Sequence, residues 1–213
     1  MKALLASLSA AVLFTFASTA QAGPVLYANV GVQNAQQYTF TAAATGDLVA
    51  YFVGSTATYT NEITLLVNGV ATGIQGLNNK TTRNDTALNF GTVQAGDSLV
   101  FKLVNILPGT GVGPWYSQKS LNSDGVNHIY SSAWAGNSAL PAGTYVAFED
   151  LPKGGDFNYN DISFVFTNVA TNAPARANVP EPGSLSLLGL GLAGFAASRR
   201  KRGRAAVAPA PAL

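Results

Sequence analysis

Apolar and polar positions alternate with a period of two through most of this chain. Leu48, Ala50 and Phe52 interleave with Val49, Tyr51 and Val53. Leu99, Phe101 and Leu103 interleave with Val100, Lys102 and Val104, and Ile162, Phe164 and Phe166 with Ser163, Val165 and Thr167. Successive side chains of a strand point to opposite faces, so each run predicts a strand. Residues 38–41 and 63–67 add runs rich in Thr, Leu and aromatic residues, and 126–131 and 145–148 also read as strands. Turn signals separate them: Thr45-Gly46-Asp47, Asn68-Gly69, Ala95-Gly96-Asp97 and Pro141-Ala142-Gly143. Asn68-Gly69 between Val67 and Val70 predicts a two-residue hairpin turn. Residues 73–85 and 107–127 are polar or rich in Gly, Pro, Ser and Asn, and predict long loops. Nothing between residues 23 and 169 repeats like an amphipathic helix. The expectation is an all-β domain over 23–169, an antiparallel β-sandwich of jelly-roll or immunoglobulin-like type. The order of its strands is not legible in the pattern.

The two ends of the chain break this rhythm. Lys2 precedes an apolar stretch at 4–16, and Ala20-Gln21-Ala22 has the small-x-small form of a cleavage site. Residues 1–22 therefore read as a signal peptide removed by signal peptidase, with Gly23 as the mature N-terminus. Residues 170–178 read as a linker of Thr, Asn, Ala, Pro and Arg. Val179-Pro180-Glu181-Pro182 follows, then the uncharged apolar residues 185–197, then Arg199, Arg200, Lys201, Arg202 and Arg204. Thirteen residues in a helix span roughly 20 Å, short of a hydrocarbon core of about 30 Å. A weak, temporary inner-membrane span over 184–198 suits them better than a permanent anchor, with the basic cluster staying on the cytoplasmic side. Residues 179–204 in this order closely resemble the PEP-CTERM sorting signal of bacterial surface proteins. The resemblance implies handling and cleavage by an exosortase, and a place in a cell surface or extracellular matrix linked to exopolysaccharide and biofilm. Residues 205–213 form a short tail beyond the usual end of such a signal.

This organisation changes the meaning of the charge. The whole chain carries 12 basic and 10 acidic residues, a formal +2. Lys2 and the five basic residues after 198 belong to the targeting segments, and so does Glu181. Residues 23–178 then hold six basic and nine acidic residues, a net −3. The basic face that nucleic acid requires is absent from the body. There is no cysteine, so an exported fold must stand on packing or on a metal, without disulfides.

Residues 149–161 gather four of those nine acids: Glu149, Asp150, Asp156 and Asp161, with Asn158 and Asn160 between them. Strands are expected on both sides, and Pro152 and Gly154-Gly155 turn the chain between them. Carboxylates so gathered repel, by roughly 3 kcal/mol per pair at about 5 Å and an effective dielectric near 20. A hard cation relieves this, and Ca²⁺ takes six to eight such oxygens. Glu149, Asp150, Asp156, Asn158, Asn160 and Asp161 are the candidate ligands. The spacing is not that of an EF-hand, and the loop lacks the Cys and His of soft-metal sites. The same composition also suits a self-satisfied network of Asx turns with no metal.

Phe148-Glu149-Asp150-Leu151-Pro152 followed by Gly155-Asp156-Phe157-Asn158-Tyr159-Asn160-Asp161 and an aromatic strand resembles the signature of a domain of undefined biochemical role in bacterial secreted proteins. Asn158 stands where that signature usually has Asp. The resemblance implies a β-rich, calcium-binding domain and no activity. The residues themselves argue against catalysis: a single histidine, His128, without a Gly-x-Ser-x-Gly elbow or a phosphate-binding glycine loop. Trp115, Tyr116 and Trp134 are the rings that would stack on a sugar, or else serve as core and loop anchors. The leading expectation is a non-enzymatic surface or matrix protein. A calcium-dependent carbohydrate-binding or adhesive module is the alternative, and a secreted hydrolase a distant third.

Overall fold

The computed structural model describes residues 26–172. The readings placed on the signal peptide, the sorting motif from Val179 to Pro182, the apolar segment 184–198 and the tail lie outside the described residues.

Eleven strands form, all paired antiparallel. They are β1 (Phe40–Ala42), β2 (Gly46–Ser55), β3 (Asn61–Val67), β4 (Val70–Gly76), β5 (Ala87–Val93), β6 (Ser98–Asn105), β7 (Trp115–Tyr116), β8 (Ile129–Trp134), β9 (Gly143–Phe148), β10 (Ile162–Thr167) and β11 (Val169–Thr171). One sheet has the order β11-β1-β6-β3-β4, with β7 also paired to β6. The other has the order β5-β2-β10-β9-β8. Two 3₁₀ turns, Lys119–Leu121 and Pro152–Gly154, are the only helical residues among those described.

The alternating pattern explains how the sheets meet. Leu48, Ala50 and Phe52 of β2, Leu99, Phe101 and Leu103 of β6, and Ile162, Phe164 and Phe166 of β10 are buried in one cluster between the sheets. Phe101 of one sheet stacks on Phe166 of the other, ring centroids 3.8 Å apart. Val165, Tyr145 and Ala147 face the opposite side of the second sheet and are buried there too, under Trp134, Leu140 and Tyr159. The central strands β9 and β10 are therefore covered on both faces, which is why their outward positions are apolar as well.

The Asn68-Gly69 hairpin forms as expected: φ is 51° at Asn68 and 82° at Gly69, and Val67 pairs with Val70. Three details differ from the sequence reading. β4 runs to Gly76, into the segment read as loop. Trp115 and Tyr116 form a short strand inside the second loop, held against Leu103 and Lys102 of β6. Ala170 and Thr171, read as linker, belong to β11. They pair with Thr41 and Phe40, and Asn172 then holds Thr39 through its backbone N–H and its Oδ1. Small polar residues make an edge strand when a neighbour offers a free ladder, which composition alone does not reveal.

Candidate functional site

β9 and β10 are neighbours, and Phe148 pairs with Ile162. That register places Glu149 and Asp150, just past β9, beside Asp161, just before β10. Asp150 N–H donates to Asp161 Oδ2 at 2.8 Å. The carbonyl of Asp161 is fixed from the other side by the N–H groups of Thr56 and Ala57, each at 3.0 Å. Glu149 and Asp150 are each 1 % exposed.

Neighbouring elements hold these residues through groups far away in sequence. Glu149 Oε1 accepts the N–H of Tyr159 at 2.6 Å. Tyr159 is itself pinned, its hydroxyl accepting from Asn34 N–H at 2.9 Å and donating to the Asn127 carbonyl at 3.1 Å. Asp150 Oδ2 accepts from Asn61 Nδ2 at 2.7 Å, and the Asp150 carbonyl accepts the Trp115 indole N–H, also at 2.7 Å. Asn61 begins β3 and Trp115 begins β7, both in the six-stranded sheet. Asp150 thus ties the two sheets together at one end of the sandwich.

His128 and Trp115 brace the same loop. Their rings stack with centroids 3.8 Å apart and 8° between planes. His128 Nδ1 bonds the Glu149 carbonyl at 2.9 Å and Nε2 bonds Asp124 Oδ2 at 3.0 Å. The same Asp124 oxygen accepts the N–H of Lys153. This histidine is a fully buried hydrogen-bonding residue with both ring nitrogens engaged.

The six candidate ligands divide into two groups. Glu149 and Asp150 are buried at the base of the loop, where Asp161 Oδ2 accepts the Asp150 N–H. Asp156, Asn158 and Asn160 form a chain of Asx turns nearer solvent. Asp156 accepts from both nitrogens of Asn158, at 3.1 and 2.7 Å, and Asn158 Oδ1 accepts the N–H of Asn160 at 2.9 Å. Asn160 Oδ1 accepts from the Thr56 hydroxyl at 2.6 Å.

Electrostatics set the base apart. Burial pushes the Glu149 carboxyl up to about 8, and the charges of Asp161 and Asp156 push in the same direction. Burial, then Asp161, pushes Asp150 up to about 6. Lys80 lowers Asp150 through its field, but its ammonium is donated to the Ala57 carbonyl. Among the described residues the ion pair formed is His128–Asp124, so none reaches Glu149, Asp150 or Asp161.

The backbone around them is tightly constrained. Lys153, Phe157 and Tyr159 adopt left-handed φ of 61°, 52° and 51°. Each costs a non-glycine residue about 1–2 kcal/mol. Gly155 lies at φ +50°, and a Cβ there would stand 2.8 Å from Glu149 Oε2. The donor set is oxygen only, with two buried carboxylates, Glu149 and Asp150, and no ion-pair partner at Glu149, Asp150 or Asp161 among the described residues. Its spread is wider than a closed site, for among the described residues no three acidic or histidine side chains already stand in ligating arrangement.

The aromatic candidates are placed differently from the sugar-stacking expectation. Trp115 and Trp134 are each 4 % exposed. Trp115 is a loop anchor and Trp134 a member of the second apolar cluster, so neither offers a ring face to solvent. Tyr116 is half-buried, with the Lys102 ammonium 5.6 Å from its ring centroid. Sequence reasoning missed Asn61, Tyr159 and the Trp115–His128 pair as supports of the loop. Asn61 lies 89 positions from its partner Asp150, and no local signal connects them.

Fold and loop together define an all-β sandwich domain with a buried carboxylate cluster where β9 turns into β10. Residues 178–201 match the PEP-CTERM protein-sorting motif. The motif marks an exported protein that an exosortase recognises and that is sorted to the cell envelope or surface. Residues 59–168, just over half of the chain and containing the whole acidic loop, match the model of the domain of unknown function DUF4114. The chain belongs to this family. No curated protein and no solved structure matches it.

Proposed function

We propose that the protein is a non-catalytic component of the cell surface or extracellular matrix whose sandwich is stabilised by Ca²⁺ at the 149–161 loop. One observation carries this reading: Glu149 and Asp150 are 1 % exposed beside Asp161, with no cation in ion-pair range among the described residues. Burying uncompensated carboxylates costs several kcal/mol per ion. Glu149, Asp150 and Asp161 would hold the cation, and Asp156, Asn158 and Asn160 would add oxygens by releasing their turn hydrogen bonds. The Glu149-Asp150 and Gly155–Asp161 motif resemblance agrees with this assignment. The bound ion supplies charge neutralisation and a link between the ends of β9 and β10. The engagement of both His128 nitrogens favours a structural over a catalytic role.

Calorimetric titration of the protein with CaCl₂, joined to thermal unfolding with and without chelator, tests it. The expected result is a binding heat and a raised melting temperature. Free Ca²⁺ a hundredfold above Kd adds about 2.7 kcal/mol. No heat, together with a melting temperature indifferent to chelation, overturns the reading.

A further inference from the structure

A cleft lies where the six-stranded sheet is interrupted. β3 pairs with β6 along nearly its whole length, from Leu99 to Asn105. The other edge of β6 is shared: β1 pairs at Ser98 and Leu99, and β7 at Lys102 and Leu103. Between them neither strand reaches Val100 and Phe101. Ser117 closes the backbone there, its N–H donating to the Phe101 carbonyl at 2.8 Å and its Oγ accepting the Phe101 N–H at 3.0 Å. The side chains do not close over it. A cleft of about 330 Å³ remains.

The walls carry Gln37, Thr39, Thr41, Ser98 and Gln118, all exposed, above a floor that includes the buried Val100. No charged residue lines the cleft. Its volume lies at the lower end of the roughly 300–1,000 Å³ of small-ligand sites. Amides and hydroxyls each donate and accept hydrogen bonds without a net charge. A phosphate, a uronate or a metal ion finds no counter-charge in such a place. A neutral polyol finds paired donors and acceptors on the walls, and an apolar floor for its C–H face.

We propose that this cleft binds a neutral saccharide. The site is separate from the acidic loop, since none of its lining residues lies within 149–161. The proposal therefore stands whether or not the loop takes calcium.

The test is an array of neutral hexose and N-acetylhexosamine oligosaccharides, with uronate-containing oligosaccharides alongside, probed with the full chain. The tightest binder is then titrated against Thr39→Val, Ser98→Ala and Gln118→Ala. These side chains are exposed, so melting temperatures should stay unchanged. Each variant should weaken a neutral ligand about two- to tenfold, the worth of one hydrogen bond. Absence of any neutral binder, preference for the acidic oligosaccharides, or unchanged affinity in all three variants overturns the proposal.

Discussion

A methyl group at position 155 would stand 2.8 Å from Glu149 Oε2 and 3.1 Å from the Leu151 side chain. It would also sit on a backbone at φ +50°, ψ −122°, a region that glycine alone occupies readily. Gly155→Ala should therefore destabilise the domain by about 2 kcal/mol or more, read from the denaturant midpoint, and weaken any response to Ca²⁺. The sequence identified Gly154-Gly155 as turn-formers and the six oxygen-bearing residues as one set. It could not divide that set. Asp156, Asn158 and Asn160 satisfy one another over two-residue spacings, which are local and legible. Glu149 and Asp150 are held by Asn61, Tyr159 and Trp115, whose approach depends on the fold.

At the scale of elements, β7 is only two residues long, yet it carries the ring that braces the acidic loop. Trp115→Phe keeps an aromatic ring beside His128 but removes the indole N–H that meets the Asp150 carbonyl at 2.7 Å. The carbonyl is then buried without this donor. The expected loss is about 1–3 kcal/mol in chemical denaturation. Calcium affinity should fall with it, because Asp150 loses one of its two ties to the opposite sheet and keeps only the Asn61 amide. A Trp115→Phe protein with wild-type stability would mean that the loop does not depend on this brace. The long strands β2, β6 and β10 were legible because alternate residues of each face the core between the sheets. β7 and β11 were not. Their pairing is licensed by the free edges of β6 and β1, and an edge exists only after the sheet has assembled.

For the whole molecule the acidic loop makes a pH signature. Glu149 is raised from 4.5 to about 8 and Asp150 from 3.8 to about 6. A carboxyl raised in the folded state binds its proton more tightly there than in the unfolded chain. The stability this adds is full below about pH 4 and is lost as pH climbs towards 8. Metal-free protein should thus melt at a lower temperature at pH 8 than at pH 5, apart from smaller effects of exposed groups. Ca²⁺ takes the place of those protons, so its affinity should rise over the same window and its presence should flatten the slope. Glu149→Gln, which keeps an oxygen for the Tyr159 N–H, should remove much of the metal-free slope and the calcium response together. A slope unchanged in that variant would place the titration elsewhere. The sequence by itself determined the all-β class, the alternating core faces, the hairpin at Asn68-Gly69, the sorting motif and the position of the acidic loop. Each is written in neighbours a few residues apart, through strand period, turn chemistry or composition. Tertiary structure alone decided the strand order, the burial of Glu149 and Asp150, the anchoring roles of Trp115 and His128, and the cleft between β1 and β7. Those depend on contacts between residues dozens of positions apart, which exist only once two sheets have packed face to face.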